Sequence, residues 1–361
     1  MFGWIPPWLR RTFAVLVVGL VVWLFVVPQF GAAREAVDAV REISPWQVAL
    51  AVVLAAFAFV AQAEMTRRVI PSYERPSLVD MLRIELASAA VSHTVPGGTA
   101  AGTALGFRLL QQAGTSGAHA GLAAGVRGIG SAMVLNAILW LALLAWIPTR
   151  GFSPQYAVAG AVGLVGLAVG VALTVALVRA PAWTTRLLER IAGWLPLVPT
   201  EPIAGGVARI SAQLRRLLTD RAIATRVVTW AALHWLSQAA ALWLLLHAFG
   251  WDAGMLGVLV AFGLVNVLAA VPVTPRGLGL VEAVLVPMLV GFGSPAHIAT
   301  LATVSWRLLT FWLPIPLGGL SYLSILVHRP DVGEGRPEAR RRAGAELAEA
   351  RRSRGAETLR R

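Results

Sequence analysis

The sequence predicts an all-α polytopic membrane protein: about six spanning helices plus two re-entrant helical hairpins, arranged as an inverted repeat. Three observations predict it. Of the 361 residues, 57% are hydrophobic and only 14% are charged, against about 25% charged in soluble domains. Apolar runs of roughly 20 residues, the length that crosses the hydrocarbon core of a bilayer, recur along the chain with arginines between them. Twice, the apolar pattern breaks at Pro and Gly and resumes in a piece too short to span. Backbone groups left unpaired by such a break survive at membrane depth only where protein or a water-filled cavity surrounds them.

The first span covers 12–30, behind Arg10 and Arg11. With no small-residue cleavage site after its apolar core, it reads as a retained helix. The near-balanced charges of 31–44 suit the outer side. The second span, 45–63, is followed by Arg67, Arg68 and Arg75, which the positive-inside bias places in the cytoplasm. Residues 77–114 form the first hairpin. An amphipathic helix carrying Asp80, Arg83 and Glu85 breaks at Pro96-Gly97-Gly98, and a short piece from Thr99 to Leu110 holds Arg108.

The third span, 117–147, carries Arg127 in its first third, and the fourth is 154–178. The arginine-rich segment 179–223 reads as a cytoplasmic linker. Within it Ile203, Val207, Ile210, Leu214 and Leu217 fall at helical spacing. That pattern suits either a helix lying in the membrane interface or one packed on the end of the bundle. The fifth span, 224–249, has His234 and Gln238 one turn apart.

The second hairpin, 264–295, runs through Pro272-Val273-Thr274-Pro275 and Arg276-Gly277-Leu278-Gly279 into an apolar run that holds Glu282 and stops at Gly291-Phe292-Gly293. A Pro-kinked spanning helix followed by a loop is the alternative reading of the same residues. The sixth span is 296–326. Residues 1–328 thus make the integral membrane domain. The charged tail 329–361, with few large apolar residues, is expected to be disordered on the cytoplasmic side or to lie on anionic lipid. Both termini then fall in the cytoplasm.

The two hairpins share their spacing. From proline to the next glycine stop is 18 residues in each (Pro96 to Gly114, Pro275 to Gly293), and an arginine follows the proline after 31 residues in one copy and 32 in the other (Arg127, Arg307). The first opens inward and the second outward in this topology. Inverted repeats with broken helices are a recurring transporter architecture.

Several chemistries are excluded. The chain has no cysteine, hence no disulfide or thiolate chemistry, and all its basic residues are arginine, hence no Schiff-base lysine. The net charge of +13 lies between and after the apolar segments, where it meets lipid headgroups rather than nucleic acid. No nucleotide-binding loop, metal-ligand spacing or nucleophile–base set is recognisable, so neither enzymatic activity nor a cofactor is expected.

The pieces AAVSHTVPGGTAAGTALGFRLL, PVTPRGLGLVEAVLVPMLVGFG and VSWRLLTFWLPIPLGG resemble the membrane region of lysylphosphatidylglycerol synthase/flippase proteins, over roughly residues 10–328. The resemblance implies a bacterial plasma-membrane protein that moves a phospholipid, or another anionic or aminoacylated lipid, between leaflets. Two departures stand out. The family's aminoacyl-transferase domain is not present here, and the acid that often follows the family's Pro-Gly-Gly is replaced by small neutral residues, Thr99 to Thr103. A second reading is therefore a non-catalytic membrane partner of a lipid-headgroup transferase or a glycosyltransferase.

Candidate substrate-binding residues follow from cost and chemistry. An intramembrane carboxylate such as Glu282 is expensive and faces a cavity or a partner; it either serves transport or pairs structurally with Arg307 or Arg276. Arg127 and Arg307 sit inside spans, where a guanidinium binds phosphate through two prongs or snorkels to the interface. Arg276 and Arg108 stand at the mouths of the hairpins. His93 lies beside the first break. Gly97, Gly98, Gly277 and Gly279 either cradle an anion at a helix start or allow tight packing.

Overall fold

The structure, a computed structural model, describes residues 44–95, 98–150, 154–179, 220–269 and 279–327, together with a few isolated positions between 182 and 219; over 147–179 side chains are described only in part. The expected first span, most of the linker, Gly97, Arg276, Gly277 and the tail lie outside the described residues.

Every described element is helical. The first half comprises α1 (Pro45–Arg68), α2 (Leu78–Thr94), α3 (Gly98–Gln112), α4 (Gly117–Gly125), a π-helical segment π1 (Val126–Gly130) and α5 (Ser131–Arg150). After α6 (Pro154–Arg179), the second half repeats the order: α7 (Arg221–Ala248), α8 (Met255–Ala269), α9 (Leu280–Gly291), α10 (Ala296–Arg307), π2 (Leu308–Trp312) and α11 (Pro314–Val327). Four of the described helices are long and apolar enough to cross a membrane: Pro45–Arg68, Gly117–Trp146, Arg221–Ala248 and Ala296–Val327. They coincide with the expected second, third, fifth and sixth spans. The fourth expected span is the 26-residue α6.

Local chemistry sets the boundaries. The Ser77 hydroxyl accepts from the Asp80 N–H at 3.1 Å and Asp220 accepts from two N–H groups of α7, which is N-capping of orphan donors. The short helices α3 and α9 are each followed by a glycine with positive φ, Gly114 at 87° and Gly293 at 101°. The next residue returns its N–H five residues back, Thr115 to Leu110 and Ser294 to Leu289, both at 3.0 Å. These are Schellman-type stops.

The π segments have different causes. Pro314 lacks an N–H and its ring crowds the carbonyl four residues earlier, Thr310. A wider turn absorbs the crowding, and the Leu313 N–H reaches back to Leu308 at 2.8 Å. In π1 no proline is involved; Gly125, Gly128 and Gly130 surround the turn.

The halves pack reciprocally. α1 lies along α7, while α2 of the first half packs on α11 of the second and α8 of the second packs on α5 of the first. Without a hydrophobic drive inside a bilayer, such contacts depend on close van der Waals approach. The α2–α3 contact shows how this is reached: Gly98, Gly102 and Gly106, four apart, meet Ser88 and Ser92, four apart. A Cβ on Gly102 would overlap the Ser88 carbonyl and the Ser92 hydroxyl. Gly318 in α11 likewise abuts the Leu86 carbonyl of α2. The largest buried cluster joins α7, α8, α9 and α10 around Leu242, Phe262, Leu285 and Trp306.

Candidate functional site

Each half holds a largely buried ion pair; the arginines stand in corresponding places, Arg127 in π1 and Arg307 just before π2, whereas Glu85 lies in the helix before the break and Glu282 in the helix after it. In the second half, α9 starts at Gly279, whose φ of +79° is a conformation that favours glycine. That start puts Glu282 in the first turn, where its Oε2 accepts the Gly279 N–H at 2.8 Å; a carboxylate there also suits the helix dipole. Its Oε1 accepts from Nε of Arg307 at 2.8 Å. Side-chain exposure is 6% for Arg307 and 20% for Glu282. The guanidinium also lies 4.1 Å from the centre of the Phe311 ring, a cation–π contact. Nη2 of Arg307, buried, has no hydrogen-bond partner among the described residues.

Phe311 ties this pair to the first half. His93, at the end of α2, stacks on the Phe311 ring with centroids 4.4 Å apart, and its Nδ1 lies 2.9 Å from the Phe311 carbonyl. A carbonyl only accepts, so Nδ1 carries the hydrogen.

In the first half, Nη2 of Arg127 in π1 lies 2.9 Å from Oε2 of Glu85. Glu85 is 3% exposed, and its Oε1 accepts from the Thr66 hydroxyl at 3.0 Å. An open cleft of about 700 Å³ runs over α3 beside this pair, lined by Thr99, Ala100, Thr103, Ala104, Phe107, Arg108, Gln111 and Ala124. Thr103, Phe107 and Ala124 also border the small pocket that contains Glu85 and Arg127. The cleft is mostly apolar, with exposed Arg108 on its wall and the ion pair behind it.

The sequence candidates thus divide. The structure joins Glu282 with Arg307, sets His93 against the same Phe311, and places Arg108 on the wall of the cleft and Arg127 in the small pocket beside it. Gly98 sits where a Cβ would overlap the Ser92 carbonyl, so close packing accounts for it. Sequence reasoning passed over Glu85, Thr66 and Phe311. A signal for Glu85 existed: Met81, Ile84, Glu85, Ser88 and Ser92 share one helical face, and all are buried, so the acid stands on the packed side of its helix. His234 and Gln238 form an interhelical network, with Nδ1 of His234 2.8 Å from the Ala58 carbonyl and Gln238 3.1 Å from Nε2.

A third polar cluster ties two loops. Glu74 Oε2 accepts from the Ser116 N–H and from Nδ1 of His119, both at 2.8 Å. Burial pushes the Glu74 carboxyl up, but the Ser116 N–H, the hydrogen bonds from His119 and the Ser116 side chain, and the His119 charge outweigh it and hold the group below its usual range. Among the described residues no group of three metal-ligating side chains occurs.

Two curated relatives, both named UPF0104 membrane protein and both from Methanothermobacter thermautotrophicus, are similar in part. One is 23% identical over 141 residues, which is 36% of this chain and 42% of the relative. The other is 30% identical over 88 residues, 24% of this chain and 26% of the relative. The aligned stretches therefore span less than half the length of these relatives. A family model described as the lysylphosphatidylglycerol synthase TM region matches residues 12–318. That range takes in both ion pairs, the cleft and both halves of the fold, and on that match the chain belongs to the lysylphosphatidylglycerol synthase TM region family.

Proposed function

We propose that the chain is a flippase-like lipid transporter that moves a phospholipid, or another anionic or aminoacylated lipid, between the leaflets of a bacterial plasma membrane, with both termini cytoplasmic. In this reading α2–α3 and α8–α9 are re-entrant hairpins of an inverted repeat, and the reciprocal packing of the halves supports it. One observation carries the proposal: two largely buried arginine–carboxylate pairs, their arginines in corresponding places of the halves, one pair beside an open apolar cleft. An acyl chain fits an apolar cleft, and a phosphate fits guanidinium groups. Arg108 meets the headgroup first, Arg127 receives it by exchanging Glu85 for phosphate, and Arg307 plays that part in the other half. Glu282 and Glu85 hold their arginines when no lipid is bound and can pair with a cationic headgroup when one is.

The test is leaflet transfer in reconstituted vesicles, using a phospholipid whose headgroup label is quenched only from outside. Wild-type protein should accelerate transfer, and folded Glu282→Gln and Arg307→Ala proteins should not. If all three proteins leave the lipid where it was, the transporter reading fails. A role as membrane partner of a lipid-headgroup transferase or glycosyltransferase would then stand in its place.

A further inference from the structure

Phe311 follows Arg307 by four residues, the spacing that brings two side chains together on one helix face. The guanidinium carbon lies 4.1 Å from the ring centre. From α2, the His93 imidazole lies 4.4 Å from the same centre and 13° from parallel. Two groups that close to the middle of one ring take opposite faces, so Phe311 stands between them. All three residues are buried.

His93 holds Phe311 at a second point, because its Nδ1–H donates to the Phe311 carbonyl at 2.9 Å. One imidazole thus grips both the ring and the backbone of the same residue, which sets the tilt of the ring. Arg307 in turn has two partners of different kinds. Glu282 accepts from Nε at 2.8 Å, whereas the ring attracts the charge as a whole. The two can act in turn.

The first half differs. Four residues after Arg127 stands Ser131, whose hydroxyl and carbonyl both accept from Nε1 of Trp235 at 3.0 Å. That position offers Arg127 no aromatic face.

We propose that Phe311 is a second seat for the Arg307 charge, a positioning residue that holds the guanidinium while Glu282 lets go, with His93 fixing the ring. A carboxylate that leaves a buried guanidinium strands a positive charge where little water reaches it. An aromatic face lowers that cost without competing for the N–H groups a phosphate needs. The part the seat plays in exchanging Glu282 for phosphate rests on the transport reading; the seat itself does not.

The test replaces Phe311 in the full chain with phenylalanines carrying one, two and three ring fluorines. Each fluorine weakens the pull of the ring face on a cation and changes its shape little. The series is made in wild type, in Glu85→Gln, in Glu282→Gln, and in Glu282→Gln combined with His93→Ala. Across the series the unfolding temperature in detergent should fall by about 2–4 °C in Glu282→Gln, where the guanidinium no longer meets a carboxylate. It should fall less than half as far in wild type and in Glu85→Gln, and adding His93→Ala to Glu282→Gln should flatten the fall. If Glu282→Gln does not fold, Glu282→Asp, whose shorter side chain draws the carboxylate back, takes its place. Lipid transfer by the otherwise wild-type chain should slow by roughly two- to five-fold across the series. Equal shifts in every background, or unchanged transfer by a chain that does move lipid, would overturn the proposal. A fall that persists in full with His93→Ala would overturn the part given to His93. Protein that moves no lipid even with its native Phe311 refutes the transport reading instead, and the seat then stands or falls on the unfolding series.

Discussion

Neutralising Glu282 should cost more stability than removing Arg307. The Glu282→Gln protein keeps an acceptor for the Gly279 N–H but strips the charge from the partner of a guanidinium that is 6% exposed. An arginine cannot shed its proton in response, and the Phe311 ring at 4.1 Å offers only about 0.5–2 kcal/mol. Breaking a buried pair from one side costs about 3–5 kcal/mol, and Glu282→Gln should fall near ~3–4 kcal/mol within that range. Arg307→Met leaves a carboxylate that is 20% exposed, still holds the Gly279 N–H and sits at the positive end of α9, so the loss should be about 2 kcal/mol. In the double variant neither charge is stranded, and the loss should be about 2 kcal/mol rather than the sum of the two, a coupling of roughly 3 kcal/mol or more. Reversible unfolding in mixed detergent micelles, followed by tryptophan fluorescence, measures all three. Additive losses, or a larger loss in Arg307→Met than in Glu282→Gln, would refute the reasoning. If the double variant regains stability but not lipid transfer, the pair is retained for transport and not for folding.

The same logic predicts that Glu85→Gln destabilises by about 2–4 kcal/mol by stranding Arg127, and that Thr66→Val costs about 1 kcal/mol through its lost hydrogen bond; the same unfolding assay reads both. Gly318→Ala and Gly102→Ala push a methyl group into backbone carbonyls of α2 and should each cost about 1–3 kcal/mol. Gly319→Ala, whose Cβ meets nothing within 4 Å, should be neutral or slightly stabilising. For Glu74 the folded carboxyl titrates below its unfolded value, so its contribution is full above roughly pH 4.5 and is lost as pH falls through the folded pKa. Unfolding temperature measured from pH 6 to pH 3 should drop less in Glu74→Gln than in wild type.

Much of this molecule was legible in one dimension. Spans are set by runs of apolar residues long enough to cross a bilayer, and Pro45–Arg68, Gly117–Trp146, Arg221–Ala248 and Ala296–Val327 stand where those runs lie. The glycine stops at Gly114 and Gly293 were visible because positive φ is a property of single residues. Of the candidate site, Glu282 and Arg307 stood out because an ionisable group in an apolar run is costly wherever the run packs.

Sequence alone therefore determined that this is a helical membrane protein, where its chain breaks, and that Glu282 and Arg307, as charges inside apolar runs, needed partners, though not Glu85. Only the tertiary structure decided the partners. Glu282 had two arginines within reach of its segment, and the packing of α9 against α10 selected Arg307. The acid missing after the first Pro-Gly-Gly is supplied from before it: Glu85 reaches Arg127 across α2, α3 and π1. His93 meets Phe311, 218 residues away, because α2 packs against the end of the second half. Helix propensity and hydropathy are sums over neighbours in the chain. An ion pair is fixed by distances across the fold, and those exist only once the helices have packed.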